Sequence, residues 1–341
     1  MAQRRAWLCF CFLALVRVVP VHGVMLGGAN VPKEKLVVYI LIGHSNMAGI
    51  DLSHSDPVSV PHAWNYPVKT RQWVLAKEPV NNKAAGLSGN GAAGPGMPFL
   101  KGMAAAYPDY YFGVVTNASL SSTCRGENTG NNSSGLDPSD NRYWDSTYLY
   151  DQIITAAKAV QKEATLGGIL CMLGTVEATR TNGTVCRAFS DDIASLARFF
   201  RRDLDMPQLP FIMGEYEAGA TGSFAPTLPL PAIILEQIKL IPSKLPFSAT
   251  VNSQGIRMLD DHHYTGNTGQ QEWAKRAIAV IQANNWFPPG ATAIRIAAPG
   301  SRAAALQGPW LLAEPGAMTL RSDEGIFLIN GAGVRPLPIK E

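Results

Sequence analysis

Hydrophobic residues in this chain form short continuous runs that alternate with longer stretches of helical spacing. Residues 36–42 (Leu-Val-Val-Tyr-Ile-Leu-Ile) are an unbroken β-branched and aromatic run, which is typical of a strand buried on both faces of a parallel sheet. The pattern predicts further strands at 110–116, 168–173, 209–213 and, more weakly, 248–252. It predicts helices at 147–163, 189–203, 231–241 and 268–283. This alternation indicates a doubly wound α/β sheet with right-handed crossovers.

Three segments depart from this alternation. Residues 51–100 and 121–143 are rich in Gly, Asn and other turn-forming residues, and we predict long loops there, the first as an insertion above the carboxyl edge of the sheet. From residue 288 on, short strands are predicted at 291–298, 310–313 and 325–329. We therefore predict a main domain over 24–287 and a small β-rich C-terminal extension over 288–341.

The first 23 residues have the pattern of a signal peptide. Arg4 and Arg5 precede an apolar run over 7–16, and Val21-His22-Gly23 is an imperfect cleavage site. An apolar helix belonging to the fold is the alternative, which Arg17 and Pro20 disfavour because they end the run. We expect the protein to be secreted, extracellular or in the endomembrane lumen, with no membrane span after cleavage.

Charge and cysteine content add little to the predictions of fold and location. Loss of the signal peptide would lower the 29 basic residues to 26, equal to the 26 acidic residues, so nothing favours a nucleic-acid partner. Cys124, Cys171 and Cys186 would remain, which allows at most one intramolecular disulfide. A bond between Cys124 and Cys186, both expected in loops, is one option.

Four tripeptides have the pattern of N-glycosylation sites, which suits a secreted glycoprotein. They begin at Asn117, Asn131, Asn132 and Asn182. If they are used, the chain between 117 and 184 contains exposed loops.

A serine flanked by glycines follows the most strongly predicted strand. Residues 43–49 read Gly-His-Ser-Asn-Met-Ala-Gly, which places Ser45 at the carboxyl end of a central strand, where open α/β sheets bind ligands. The glycines permit a tight turn, and backbone N–H groups beyond the strand can stabilise an oxyanion. Taken alone, a simple strand-to-helix turn explains the segment equally well.

A second polar cluster, Asp260-Asp261-His262-His263-Tyr264-Thr265, lies just before the last predicted helix. A serine nucleophile needs a base, and the base needs an orienting carboxylate; Asp260 and His263 are spaced to supply both. A polar helix cap and a His/Asp metal cluster are the alternatives. We expect no metal, because no further histidine lies nearby in the sequence.

Together these motifs resemble the SGNH-hydrolase superfamily, and within it the carbohydrate esterase family 6 and sialate O-acetylesterase-like branch. That branch has G-Q-S-N-M-A-G after its first strand, matched by residues 43–49, and D-x-x-H before its last helix, matched by Asp260 and His263. Its G-P-x-x-x-F block is matched by Gly94, Pro95 and Phe99. The resemblance runs from about residue 37 to 281.

The resemblance implies a three-layer α/β/α sandwich with a mostly parallel, flavodoxin-like sheet. It also implies hydrolysis of acetyl esters on carbohydrates without a metal or organic cofactor. Ser45 would be the nucleophile, His263 the base and Asp260 its carboxylate partner. In relatives, the oxyanion is held by the serine N–H, a glycine N–H of a G-G-T turn and a polar side chain of a Q-G-E-x-D block.

The chain departs from the family at three of these positions. His44 replaces the usual Gln, and Ser121-Ser122-Thr123 replaces G-G-T. The Q-G-E-x-D block reads Leu-Gly-Thr-Val-Glu over 173–177. In one register Leu173 takes the place of the oxyanion Gln; in the other Thr175 does, and Glu177 matches the family Glu.

The usual amide donor is missing in both registers, and one such donor typically contributes about 100- to 1,000-fold in turnover. Candidate replacements are Thr175 and Thr123, and Glu177 is a candidate for orienting a group in the site. Arg125 and Arg180 are candidate partners of Glu177 or substrate contacts. The first hypothesis is a carbohydrate O-acetylesterase; the others are a weak or inactive glycan-binding relative and an enzyme for a different acyl group.

Overall fold

The computed structural model describes most of the chain between residues 23 and 337. The described residues are 23–51, 58–81, 93–120, 122–124, 149–180, 183–215, 230–260, 262–288, 311–314, 317–322, 325–330 and 333–337. Residues 1–22 of the predicted signal peptide, the predicted strand at 291–298, Ser121 and Arg125 lie outside them.

A seven-stranded sheet is the centre of the fold, and its strand order is β5-β4-β6-β3-β7-β8-β9. All neighbours in it are parallel except β4 and β5. The strands are β3 (Leu36–Gly43), β4 (Ala63–Asn65), β5 (Val74–Leu75), β6 (Tyr111–Ala118), β7 (Thr165–Met172), β8 (Phe211–Gly214) and β9 (Ser248–Val251). Before them, β1 (Gly23–Leu26) and β2 (Ala29–Pro32) form an antiparallel hairpin.

Helices cover both faces of this sheet. They are α1 (Ser45–Ala48), α2 (Gly96–Ala106), α3 (Leu149–Val160), α4 (Thr175–Arg180), α5 (Gly183–Asp203), α6 (Leu230–Lys244) and α7 (Gly269–Ala283). Apolar residues of α3, α5 and α6 join one buried cluster, and those of α2 and α7 join a second. The result is the expected three-layer sandwich with a mostly parallel sheet.

Strand β3 shows why the sheet separates two cores. All eight of its residues are buried, and their side chains alternate between the faces. Val38 and Ile40 pack into the cluster under α3, α5 and α6, whereas Tyr39 and Leu41 pack into the cluster under α2 and α7. The carboxyl end of this doubly buried strand is therefore held rigidly at the middle of the molecule.

The predicted strands and helices of the main domain are confirmed, with ends that shift by a few residues. The largest shift is in α5, which begins at Gly183 instead of residue 189. The prediction of one long loop over 51–100 is wrong in part, because β4 and β5 extend the sheet and α2 begins at Gly96. These elements are short or Gly-containing, so their hydrophobic period is weak.

Four further strands follow the main domain and form an antiparallel sheet of their own. They are β10 (Leu311–Glu314), β11 (Ala317–Ser322), β12 (Gly325–Asn330) and β13 (Gly333–Leu337), paired in that order. The strands predicted at 310–313 and 325–329 correspond to β10 and β12.

Two expectations about modification need correction. Cys124, Cys171 and Cys186 are all buried as thiols, and Cys186 lies in α5, not in a loop. Asn117 lies in β6, and its side-chain amide is buried and donates to the Leu149 carbonyl oxygen at 2.7 Å. The tripeptide at Asn117 is therefore not an exposed glycosylation site.

Within the described residues, no helix combines the length and apolar character needed to cross a bilayer.

Candidate active site

Ser45 lies where β3 ends and the short helix α1 begins. Gly43 has φ +149°, and a Cβ there would overlap the Met172 carbonyl oxygen of the neighbouring strand, so this close approach requires glycine. His44 is the N-cap residue, with its N–H donating to the Met172 carbonyl oxygen at 2.9 Å. Ser45 is therefore in the first turn of α1, where helix N–H groups have no intrahelical partners.

His263 reaches Ser45 from the loop before α7. The Nε2 atom of His263 is 2.9 Å from Ser45 Oγ, and its Nδ1 atom is 2.7 Å from Asp260 Oδ2. The side chains of His263 and Asp260 are 13% and 42% exposed, and Ser45 is half-buried. The three side chains form one hydrogen-bonded chain that a substrate can approach from solvent.

Asp260 is held in its orientation by the backbone as well as by the imidazole. Its Oδ1 atom accepts from the N–H groups of His262 and His263 at 2.9 and 2.7 Å. Burial alone would raise the pKa of Asp260, but the hydrogen bonds from the His263 side chain and the two N–H groups together lower it. The group is thus an anion at neutral pH, held against Nδ1 of His263.

His44, which replaces the family glutamine, is a neutral residue of the site. Burial, followed by the nearby His263 and His262, lowers its pKa to about 3. Its Nδ1 atom accepts from the Asn46 N–H at 3.2 Å, which places its proton on Nε2. Its replacement of the glutamine therefore adds no charge beside Ser45.

The loop before α7 that carries His263 is called the base loop here. The residues after Ser45 contact the base loop through polar side chains. Asn46 donates from Nδ2 to the His262 carbonyl oxygen at 2.9 Å and accepts at Oδ1 from the Tyr264 N–H at 3.0 Å. Gln270 donates to the Asn46 carbonyl oxygen at 2.8 Å, and Asp51 accepts from the Gly266 N–H at 2.9 Å. No pattern in the sequence indicates this role of Asn46, because its partners lie more than 200 positions away in the chain.

The predicted oxyanion residues after β6 fall into different environments. The donors of Ser122 already have partners in the fold. Its hydroxyl donates to the Gly43 carbonyl oxygen at 2.9 Å, and its N–H donates to the Ser119 carbonyl oxygen at 3.2 Å. The Thr123 hydroxyl is buried and has no hydrogen-bond partner among the described residues. Thr123 is therefore the better donor candidate of the two.

The residues of the altered third block, which follow β7, lie in two different environments. Leu173 packs into the core with Cys171 and Ile234, so it does not present a side chain to the site. Thr175 opens α4 and is buried. The usual amide donor is therefore absent in both registers. Its position is taken by the core residue Leu173 in one register and by Thr175 in the other.

Glu177 joins the two altered blocks. Its carboxylate accepts from the Cys124 N–H at 2.7 Å and the Gly174 N–H at 3.0 Å. Burial raises its pKa to about 7, and these backbone hydrogen bonds only partly oppose the shift. Glu177 therefore holds two loops together and does not face solvent. Arg125 lies outside the described residues, as does the side chain of Arg180.

The residues that could hold a metal overlap with this hydrogen-bonded chain. Donor atoms of Asp260, His262 and His263 lie within 4.8 Å of one another. The side chains of Asp260 and His263 are already hydrogen-bonded to each other at 2.7 Å, so a bound metal would compete with that contact.

A separate cleft of about 530 Å³ lies between α2 and α7 and borders the base loop at Gly266.

Comparison with known families places this chain in a defined group of enzymes. Residues 35–282 match the family described as "Carbohydrate esterase, sialic acid-specific acetylesterase", a span that covers more than half of the chain. The chain belongs to this family. Its reaction class is that of a carboxylic ester hydrolase acting on carbohydrate O-acetyl groups. Among curated proteins, none matches the chain.

Solved structures with the same fold include carbohydrate esterases at low sequence identity. A protein from Arabidopsis thaliana has a TM-score of 0.57 at 18% identity, over 72% of this chain and 98% of that one. A carbohydrate acetylesterase from Xanthomonas citri has a TM-score of 0.52 at 16% identity, over 83% and 61%. NanS has a TM-score of 0.53 at 13% identity, over 74% and 98%. This carbohydrate esterase family member therefore shares its fold with them.

Proposed function

We propose that this protein hydrolyses O-acetyl esters on carbohydrates with Ser45 as nucleophile, His263 as general base and Asp260 as the carboxylate that orients it. The observation that carries the proposal is the continuous chain from Asp260 Oδ2 to His263 at 2.7 Å and from His263 to Ser45 Oγ at 2.9 Å. These distances are within the range that proton transfer from a nucleophile to its base requires.

The geometry supports a two-step acyl transfer. Ser45 Oγ attacks the acetyl carbonyl carbon while His263 Nε2 takes its proton, and Asp260 stabilises the imidazolium. Collapse of the tetrahedral intermediate breaks the ester bond, and the imidazolium returns the proton to the leaving sugar oxygen. Water then attacks the acetyl-serine with His263 again as base, which releases acetate and restores Ser45. These steps need no metal and no organic cofactor.

The oxyanion of the intermediate is proposed to bind the Ser45 N–H and a hydroxyl from the altered blocks. The Thr123 hydroxyl is the first candidate, because it is buried and has no partner among the described residues. Thr175, which follows Gly174, is the second. A hydroxyl in place of a side-chain amide keeps one hydrogen-bond donor at this position.

The proposed substrate is an acetylated carbohydrate, and O-acetylated sialic acid is the first to test because the family description names it. The predicted signal peptide supports action outside the cytoplasm, in the extracellular space or the endomembrane lumen. The balanced charge expected after its removal gives no support for a nucleic-acid partner.

The test is release of acetate from O-acetylated sialic acid and of p-nitrophenol from p-nitrophenyl acetate. We expect wild type and Ser195→Ala to be active, since Ser195 is half-buried on α5 and its hydroxyl donates to the Asp191 carbonyl oxygen of the same helix. Ser45→Ala and His263→Ala should each lose more than about 1,000-fold in turnover. Full activity in either of these two variants would contradict the proposal.

A second candidate function is glycan binding with little catalysis, and one observation favours it. Leu173 is a core residue where the family has a polar oxyanion donor. An inactive wild type that nevertheless binds acetylated glycans in a direct binding assay would support this second function.

A further inference from the structure

Asn46 stands out among the polar residues around the site because a single side chain contacts both neighbours of His263. Its Nδ2 atom donates to the His262 carbonyl oxygen at 2.9 Å, and its Oδ1 atom accepts from the Tyr264 N–H at 3.0 Å. The amide is 5% exposed. The side-chain amide therefore hydrogen-bonds the backbone on both sides of His263, as the backbone of a neighbouring β-strand would.

The position of Asn46 in the chain gives these bonds their importance. It is adjacent to Ser45 in sequence and lies in the same helix turn, so its backbone moves with the nucleophile. The Gln270 side chain fixes this backbone further by donating to the Asn46 carbonyl oxygen at 2.8 Å. One residue therefore links the position of Ser45 to that of the His263 backbone.

Other contacts also hold the base loop: the Asp51 carboxylate accepts from the Gly266 N–H at 2.9 Å, and the Glu215 carbonyl oxygen accepts from the Tyr264 hydroxyl at 3.2 Å. On its other side, the Leu259 N–H donates to the His263 carbonyl oxygen at 2.7 Å, and Met258 forms an isolated bridge with Tyr264. Asp260 is 42% exposed, so its contact with the imidazole is open to competition from water. Asn46 differs from these anchors because its amide bonds the backbone on both sides of His263 and belongs to the residue next to Ser45.

We propose that Asn46 is a positioning residue that sets the distance between His263 Nε2 and Ser45 Oγ. The inference rests on the proposed function, because it concerns the same serine and histidine. A displacement of about 1 Å at a reacting group can cost about 100-fold in rate. We therefore expect Asn46→Ala to lower kcat by about 10- to 100-fold and to leave KM within about twofold.

Asn65→Ala is the matched control, since Asn65 is 2% exposed and donates from Nδ2 to the Val80 carbonyl oxygen at 2.9 Å. It lies in β4, away from the base loop. Both substitutions delete a buried amide, and Asn46→Ala should lower the unfolding midpoint further because it removes two hydrogen bonds whereas Asn65→Ala removes one. Only Asn46→Ala should slow the labelling of Ser45 by a fluorophosphonate.

Asn46→Ser provides the second variant, because its hydroxyl can keep at most one of the two bonds and adds no buried charge. We expect its kcat between those of wild type and Asn46→Ala, and it decides the test if Asn46→Ala does not fold. The inference is overturned if the folded Asn46 variants match Asn65→Ala in kcat and labelling rate. Should Ser45→Ala retain activity instead, the proposed function itself fails.

Discussion

Glu177 gives the sharpest prediction about stability, because its carboxyl group is buried between two loops of the site. The group accepts from the Cys124 and Gly174 N–H groups, yet burial outweighs these bonds and raises its pKa from 4.5 to about 7. The folded protein therefore binds this proton more tightly than the unfolded chain does. The resulting stabilisation is present in full below pH 4.5 and is lost as the pH rises through about 7.

The size of the effect follows from the two pKa values. The shift from 4.5 to about 7 corresponds to about 3 kcal/mol in the free energy of unfolding. Glu177→Gln keeps the side-chain size and cannot titrate. The unfolding free energy of wild type minus that of Glu177→Gln should therefore fall by about 3 kcal/mol between low and high pH.

Urea denaturation of both proteins at intervals from about pH 4 to pH 9 measures this difference. The other titrating groups are common to the two proteins and cancel in the subtraction. Glu272→Gln is a control of opposite sign, since the Arg276 side chain lowers the pKa of Glu272 and its contribution is lost as the pH falls. A wild-type minus Glu177→Gln difference that is constant over the range would refute the reasoning.

Three further predictions concern catalysis and modification. Asp260→Asn should preserve the fold and lower kcat by about 1,000- to 10,000-fold, because the amide no longer orients the imidazole or stabilises its cation; steady-state kinetics with circular dichroism checks both parts. Thr123→Val should lower kcat by about 100-fold or more if this hydroxyl binds the oxyanion, whereas a loss in Thr175→Val alone would assign the role to Thr175. Peptide mass mapping of the protein expressed through a eukaryotic secretory pathway should find Asn117 without a glycan, because its amide is buried and bonded to the Leu149 carbonyl oxygen; a glycan there would contradict the position of β6.

The order of strands and helices could be predicted because buried parallel strands leave a strong signal. The run over 36–42 is hydrophobic on both faces and became the central strand β3, and the Ala- and Ile-containing helical stretches follow the same logic. Strand β5 could not be found in this way. Its residues Val74 and Leu75 are exposed, so no burial pattern marks the segment.

The candidate site likewise contains residues that local sequence patterns indicate and contacts that only the folded chain reveals. Ser45, His263 and Asp260 could be predicted, because a glycine-flanked serine after a strand and a D-x-x-H spacing are local patterns. The bonds of Asn46 to residues 262 and 264 could not, since they join segments more than 200 positions apart in the chain and depend on the folded sheet. The burial of Leu173 likewise depends on α6, which packs Ile234 into the same core.

The central claim is that Ser45 is a nucleophile activated by His263 and Asp260. Its most direct test is labelling of the purified protein by a fluorophosphonate, followed by mass spectrometry of the peptide that contains Ser45. The account predicts stoichiometric labelling at Ser45 in wild type and labelling slower by at least about 100-fold in both His263→Ala and Asp260→Asn. Labelling at another serine, or equal rates in wild type and both variants, would contradict it.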